Sequence, residues 1–127
     1  NLVEAKKDYD VIMIGSSQIA NLTKHPQIWG RFEAAGAVNF GIGGDRIENV
    51  LYRLENGELT SRTTKIVVLF VGTNNSDKCT PAQIFFGIRC CIKKIMEKVP
   101  EAHIIVPTML PRGRGPNRQR TVLCGVN

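Results

Sequence analysis

No apolar run in this sequence is long enough to cross a bilayer. The longest, Val11 to Ile14 and Ile66 to Val71, fall far short of the roughly 20 residues a spanning helix needs. The N-terminus, Asn-Leu-Val-Glu-Ala-Lys-Lys, has neither an initiator methionine nor the apolar stretch of a signal peptide, so it reads as the cut end of a longer chain. Cysteine is sparse and badly spaced for metal or cross-links: Cys79, Cys90, Cys91 and Cys124 contain no CxxC, and two of them are adjacent. Reduced thiols in a cytoplasmic protein are the expectation, with an intermolecular bridge as the alternative. There is no G-x-G-x-x-G and no Gly-Lys-Ser/Thr, which argues against a nucleotide cradle. Internal repeats and low-complexity tracts are absent as well.

What remains is an ordinary globular composition of 127 residues, 43% hydrophobic and 22% charged, with 12 glycines, which fits a single domain over residues 1–127. Net charge is +6, but Arg112, Arg114, Arg118 and Arg120 account for most of it; without them 13 basic face 11 acidic residues. No aromatics interleave with those arginines, so a solvated loop is expected there and nucleic-acid binding is not. A polyanion site at Arg112 to Arg120 is kept as a rival reading, with steep salt dependence as its mark.

Tyr9 to Gly15 (YDVIMIG) has strand length and ends in glycine. A helix over Ser17 to Lys24 follows, with Ser16 or Ser17 near its N-cap; His25 and Pro26 then interrupt before a second helical stretch, Gln27 to Ala35. Ala37 to Phe40 is a second strand. It runs into Gly41-Ile42-Gly43-Gly44 and a helix capped by Asp45, whose Ile47, Val50, Leu51 and Leu54 repeat at three- and four-residue spacing. Lys65 to Val71 (KIVVLFV) is the continuous β-branched and aromatic run of a central parallel strand. Thr80-Pro81 opens a helix with Ile84, Phe85, Ile88, Ile92, Ile95 and Met96 on its apolar face, and His103 to Leu110 is a fourth strand despite Pro107. The last residues begin another helix. This alternation predicts an α/β fold with a parallel sheet and helices on both faces.

Ligands of such sheets bind beyond the carboxyl ends of the strands. Three loops there pair glycine with polar groups: Gly15-Ser16-Ser17, Gly41-Ile42-Gly43-Gly44-Asp45 and Gly72-Thr73-Asn74-Asn75. A serine opening a helix can be a nucleophile and offers its own N–H; Gly44 can present a second backbone N–H, and the Asn74 amide a third donor. The set suits acyl transfer. Taken singly, Ser17 caps a helix, the glycines make a tight turn, and one of Asn74 and Asn75 bonds nearby backbone. Trp29 and Phe32 are read as packing, as are Cys90 and Cys91.

A Ser, a Gly and an Asn in successive strand-end loops resemble the defining residues of the SGNH hydrolases. The runs NFGIGGDRIENVLYRLENGEL, KIVVLFVGTNN and IIVPTMLPRG are similar to the cytosolic platelet-activating-factor acetylhydrolase catalytic subunits from about residue 9 to about residue 120. The resemblance implies a flavodoxin-like three-layer α/β/α fold with its final strand and helix missing here. It implies Ser17 as nucleophile, with its N–H, Gly44 and Asn74 as oxyanion hole. Thr73 would border a small acyl pocket, and Gln18, at a position more often apolar in the family, would make that pocket more polar. The implied reaction is hydrolysis of a short acyl ester, typically the sn-2 acetyl of an ether phospholipid, without metal or organic cofactor. Implied partners are a related catalytic subunit in a homo- or heterodimer and a WD-repeat subunit of the lissencephaly type. Two departures stand out. Gly15-Ser16-Ser17 replaces the family's Gly-Asp-Ser, and no Asp-x-x-His occurs in these 127 residues. His25 and His103 are both misplaced to serve Ser17. Without a base the hydroxyl forgoes roughly a hundred to ten thousandfold in rate, so an inactive or very slow chain is expected. A non-catalytic dimerisation or partner-binding module is the alternative. An uncovered sheet edge and apolar face predict self-association and poor solubility.

Overall fold

The computed structural model describes residues 8–60 and 63–127. At its centre β1 (Val11–Gly15), β2 (Ala37–Gly41), β3 (Ile66–Phe70) and β4 (His103–Ile105) pair in the order β2-β1-β3-β4, all parallel. Two helices, α1 (Ser17–Ala20) and α2 (Pro26–Ala34), join β1 to β2. Next come α3 (Ile47–Glu55) between β2 and β3, α4 (Pro81–Lys98) between β3 and β4, and α5 (Arg118–Val126) after β4. The chain steps outward from β1 to β2, then back past β1 to β3. Crossovers of one hand therefore put α1 and α2 on one face and α3 and α4 on the other. Accordingly α1 and α2 lie against β2, α3 packs on α4, and α4 on α5. This is the parallel α/β arrangement with helices on both faces expected from the alternation of elements, and the flavodoxin-like α/β/α layering that the resemblance implied.

The central strands are apolar on both faces because both faces are covered: Ile12, Ile14, Val67 and Leu69 are each no more than 1% exposed. Burying each such side chain is worth about 1.5–3 kcal/mol. On α3 the stripe Ile47, Val50 and Leu54 is buried, and Leu51 is half-buried beside it. On α4 the buried stripe is Ile84, Ile88, Cys91 and Ile95. The Thr80 hydroxyl accepts from the Gln83 N–H at 3.2 Å, and the Gln83 side chain accepts from the Thr80 N–H at 2.9 Å, which closes a capping box at its start. Burial pushes the Cys91 thiol up to about 12, with Cys90 adding to the effect, so Cys91 behaves as a small apolar core residue.

Several local expectations are corrected. Residues 17–24 are not one helix: a single α-turn passes into a 3-10 turn over Asn21–Lys24. Asp45 does not cap α3. Arg46 holds that position, its N–H donating to the Asn49 side chain at 2.9 Å, while the Asp45 carboxylate is taken by Arg53. β4 is three residues long instead of eight, because pairing stops at Ile105 and Pro107 just beyond has no N–H to continue it. Phe85 and Met96 do not face the core. They lie one position off the buried stripe and are 52% and 58% exposed. Among the described residues no helix is long and apolar enough to cross a membrane.

Candidate active site

Pairing in register brings the strand ends level, since Gly15 of β1 lies opposite Gly41 of β2 and Phe70 of β3. The loops that follow are thus launched side by side. Hydrogen bonds then tie them together: the Ile42 N–H donates to the Gly15 carbonyl at 3.0 Å, and Asn74 Nδ2 donates to the Asp45 carbonyl at 2.9 Å. Ser17, Gly44 and Asn74, proposed from sequence as one set, therefore sit on three physically joined loops.

Each loop has its own reason for its shape. At Gly15 a Cβ would lie 2.1 Å from the Phe70 carbonyl oxygen, so only glycine lets the serine loop leave the sheet this tightly. Ser16 is buried, its N–H donating to the Phe70 carbonyl at 3.3 Å and its Oγ to Gln18 Oε1 at 2.8 Å. Ser17 is half-buried at the first residue of α1, and its Oγ meets the same Gln18 oxygen at 3.5 Å. Of the two serines Ser17 is the more exposed. The second loop turns through Asp45 N–H to Ile42 carbonyl, with Gly44 at φ +83°. That backbone favours glycine, and the space above it is open. In the third loop Thr73 is 8% and Asn75 3% exposed, while Asn74 is half-buried. An amide carries two N–H groups, so Asn74 keeps one donor after bonding Asp45. Both asparagines, not one, are committed to the neighbouring loop: Asn75 Oδ1 accepts from the Ile47 N–H and its Nδ2 donates to Glu48, each at 2.9 Å.

Three arginines brace these loops, and two of them, Arg46 and Arg53, the sequence reading passed over. Arg53, on α3, donates to the Phe40 carbonyl at 2.9 Å, the Gly15 carbonyl at 3.4 Å, the Asp45 carboxylate and Glu58. Arg46 Nη1 donates to the Asn74 carbonyl at 2.7 Å and to Asp77 at 2.9 Å, and its Nε to Glu48 at 2.9 Å. Those bonds to Glu48 and Asp77 hold the Arg46 guanidinium above its usual range despite partial burial. Asp77 is pulled below its ordinary value chiefly by Arg46. For Glu48 partial desolvation acts upward, but its backbone bond, Asn75 and Arg46 together bring it below the usual carboxylate value. Arg112 Nη1 donates to the Thr73 carbonyl at 2.9 Å, Arg118 to the Asp77 carbonyl, and Arg120 to the Arg112 and Gly113 carbonyls. Three of the four clustered arginines are thus spent on backbone oxygens. A signal for the pair on α3 does exist in the sequence: Arg46 and Arg53 are seven residues apart, two helical turns, on one flank of the apolar stripe.

Neither histidine joins the set. His103 pairs with Ile66 at the amino end of the sheet, opposite the loops, and exposed His25 stands at the start of α2. Among the described residues no His, Asp or Glu side chain bonds the Ser17 hydroxyl.

A serine loop, a glycine turn and an asparagine turn on one sheet edge coincide with a family match: the model of the GDSL-like lipase/acylhydrolase family covers residues 13–124. The chain belongs to this family. Two of its curated relatives are human platelet-activating factor acetylhydrolase IB subunits. Subunit alpha1 is 44% identical over 115 residues, 90% of this chain and 49% of the relative. Subunit alpha2 is 41% identical over 122 residues, 95% and 52%. The chain spans about half the length of the curated relatives it matches. Among solved structures, Est24, a carbohydrate acetylesterase from Sinorhizobium meliloti, superposes with a TM-score of 0.71 at 13% identity, covering 91% of this chain and 74% of that one. A lipolytic G-D-S-L family member from Veillonella parvula gives 0.69 at 16% identity, covering 91% and 67%. At such identities these two speak for the GDSL fold alone.

Proposed function

We propose that this chain carries the nucleophile and oxyanion-hole half of a serine esterase site that takes a short acyl ester, the acetyl group of an ether phospholipid being the class its relatives' name points to. The observation that supports it best is the physical joining of the three loops through Ile42 to Gly15 and Asn74 to Asp45. In this reading Ser17 Oγ attacks the ester carbonyl carbon and forms the new C–O bond. The carbonyl oxygen becomes an oxyanion that accepts from the Ser17 N–H, the Gly44 N–H and the second Asn74 N–H. Collapse expels the alcohol and leaves an acyl-serine for water to hydrolyse. Thr73 and Gln18 border the acyl group, Gln18 as a polar wall. No metal or organic cofactor enters the scheme. Among the described residues no His, Asp or Glu bonds the Ser17 hydroxyl to take its proton, so slow turnover is the expected outcome.

Turnover of a short acetyl ester with and without added imidazole tests this. The wild type should exceed its Ser17→Ala variant, and imidazole should widen the gap by replacing the absent base. Equal rates for the two proteins under both conditions would remove the reading. A second reading, a non-catalytic module that pairs with a related subunit, is favoured by the exposed Phe85, Phe86, Ile105, Val106 and Leu110. It predicts concentration-dependent self-association in sedimentation together with equal esterase rates for wild type and Ser17→Ala.

A further inference from the structure

We propose that Arg53 is a positioning residue that holds the nucleophile loop and the glycine turn in one fixed relation; this rests on the esterase reading above. Its guanidinium touches both loops at once. Nη2 donates to the Gly15 carbonyl, two residues before Ser17, and Nη1 to the Phe40 carbonyl near the end of β2. Nε at 3.1 Å and Nη2 at 3.0 Å hold Asp45 Oδ2, on the residue directly after Gly44, and Nη1 also meets Glu58.

The bonds form a chain of command across the edge. Gly15's carbonyl accepts from both Arg53 and the Ile42 N–H, so the first two loops meet on one oxygen. Asp45 is gripped by Arg53 through its carboxylate and by Asn74 through its carbonyl, which passes the hold on to the third donor. Arg53 is only 14% exposed, as is Asp45, and Glu58 is 20% exposed, so the frame is largely shielded from solvent. With two carboxylates on one guanidinium, Arg53 is not a free cation offered to substrate; its contribution is geometric. A planar fork of five N–H groups can satisfy four acceptors in different directions, whereas a lysine ammonium is a single compact point and cannot.

The test is the saturation kinetics of Ser17 phosphonylation by a fluorophosphonate in the purified chain and its Arg53→Lys and Arg53→Met variants. Each variant's maximal rate, half-saturating concentration, final extent of labelling and melting midpoint are recorded. Displacement of the loops by about an ångström should lower the maximal rate roughly tenfold to a hundredfold, with the half-saturating concentration and final extent unchanged. Lysine should recover only part of that loss. Leu54→Ala, a core truncation one residue along the same helix, should lower the melting midpoint and leave the maximal rate alone. Wild-type rates in both Arg53 variants would overturn the inference, as would an equal rate loss in Leu54→Ala. No label on Ser17 in the wild-type chain would instead overturn the esterase reading, and the inference with it.

Discussion

The carboxyl edge of β1, β2 and β3 and the flank made by β4 and α4 are held by different forces. At the edge polar, directional contacts tie the loops: Arg46, Arg53 and Arg112 each donate to backbone carbonyls, and Asn74 and Asn75 link the third loop to the second loop and the start of α3. On the flank β4 pairs over three residues, Phe86 and Leu110 stand more than half exposed, and exposed Phe85 borders a groove lined also by Ile88, Ile92, Val106 and Met109. Apolar burial is non-directional and fixes no angle, whereas a guanidinium on a carbonyl does. The molecule therefore spends its geometric precision where acyl transfer would need it.

Gly15→Val should break the comparison most severely. Its Cβ has nowhere to go beside the Phe70 carbonyl, and the loss should exceed about 4 kcal/mol, read as the absence of a cooperative urea transition. Asn75→Ala should come next. It strands the buried Ile47 N–H and should cost about 1–3 kcal/mol in the same experiment, more than truncating any of the exposed flank residues Phe85, Phe86 or Leu110.

Acid should act on the edge and spare the flank. Glu48 and Asp77 both titrate lower in the folded chain than in the unfolded one. Their stabilisation is therefore complete above the ordinary carboxylate range, about pH 4, and is lost as pH falls through the lower folded values. Unfolding midpoints measured down the acid limb should fall less steeply in Glu48→Gln and Asp77→Asn than in the wild type. The smallest expected effect is Phe86→Ser, within about 0.5 kcal/mol in stability. Its consequence should instead be a lower apparent mass on gel filtration, since Phe86 is 67% exposed.

The sequence carried the three loops plainly, because each is an apolar run stopped by glycine and a polar residue. A parallel sheet with helices on both faces followed from the short connections, whereas the strand order β2-β1-β3-β4 came only with the pairing. What stayed hidden depended on register. Arg53 reaches Phe40 and Gly15, residues 13 and 38 positions away, and only paired strands bring those carbonyls within range of one guanidinium. The length of β4 was hidden for a related reason: a strand ends where its neighbour's partners end, and HIIVPTML reads as apolar well past Ile105. Phe85 and Met96 were misassigned because each directly follows a buried isoleucine, Ile84 and Ile95, and no polar residue between them marks where the buried stripe ends.

The most direct test of the central claim is to find where a fluorophosphonate adduct sits, by peptide mass mapping of the labelled chain. The account predicts a single adduct on Ser17, at the accessible start of α1, with buried Ser16 unmodified and Ser17→Ala unlabelled. An adduct on Ser16, or equal labelling of the wild type and Ser17→Ala, would contradict it.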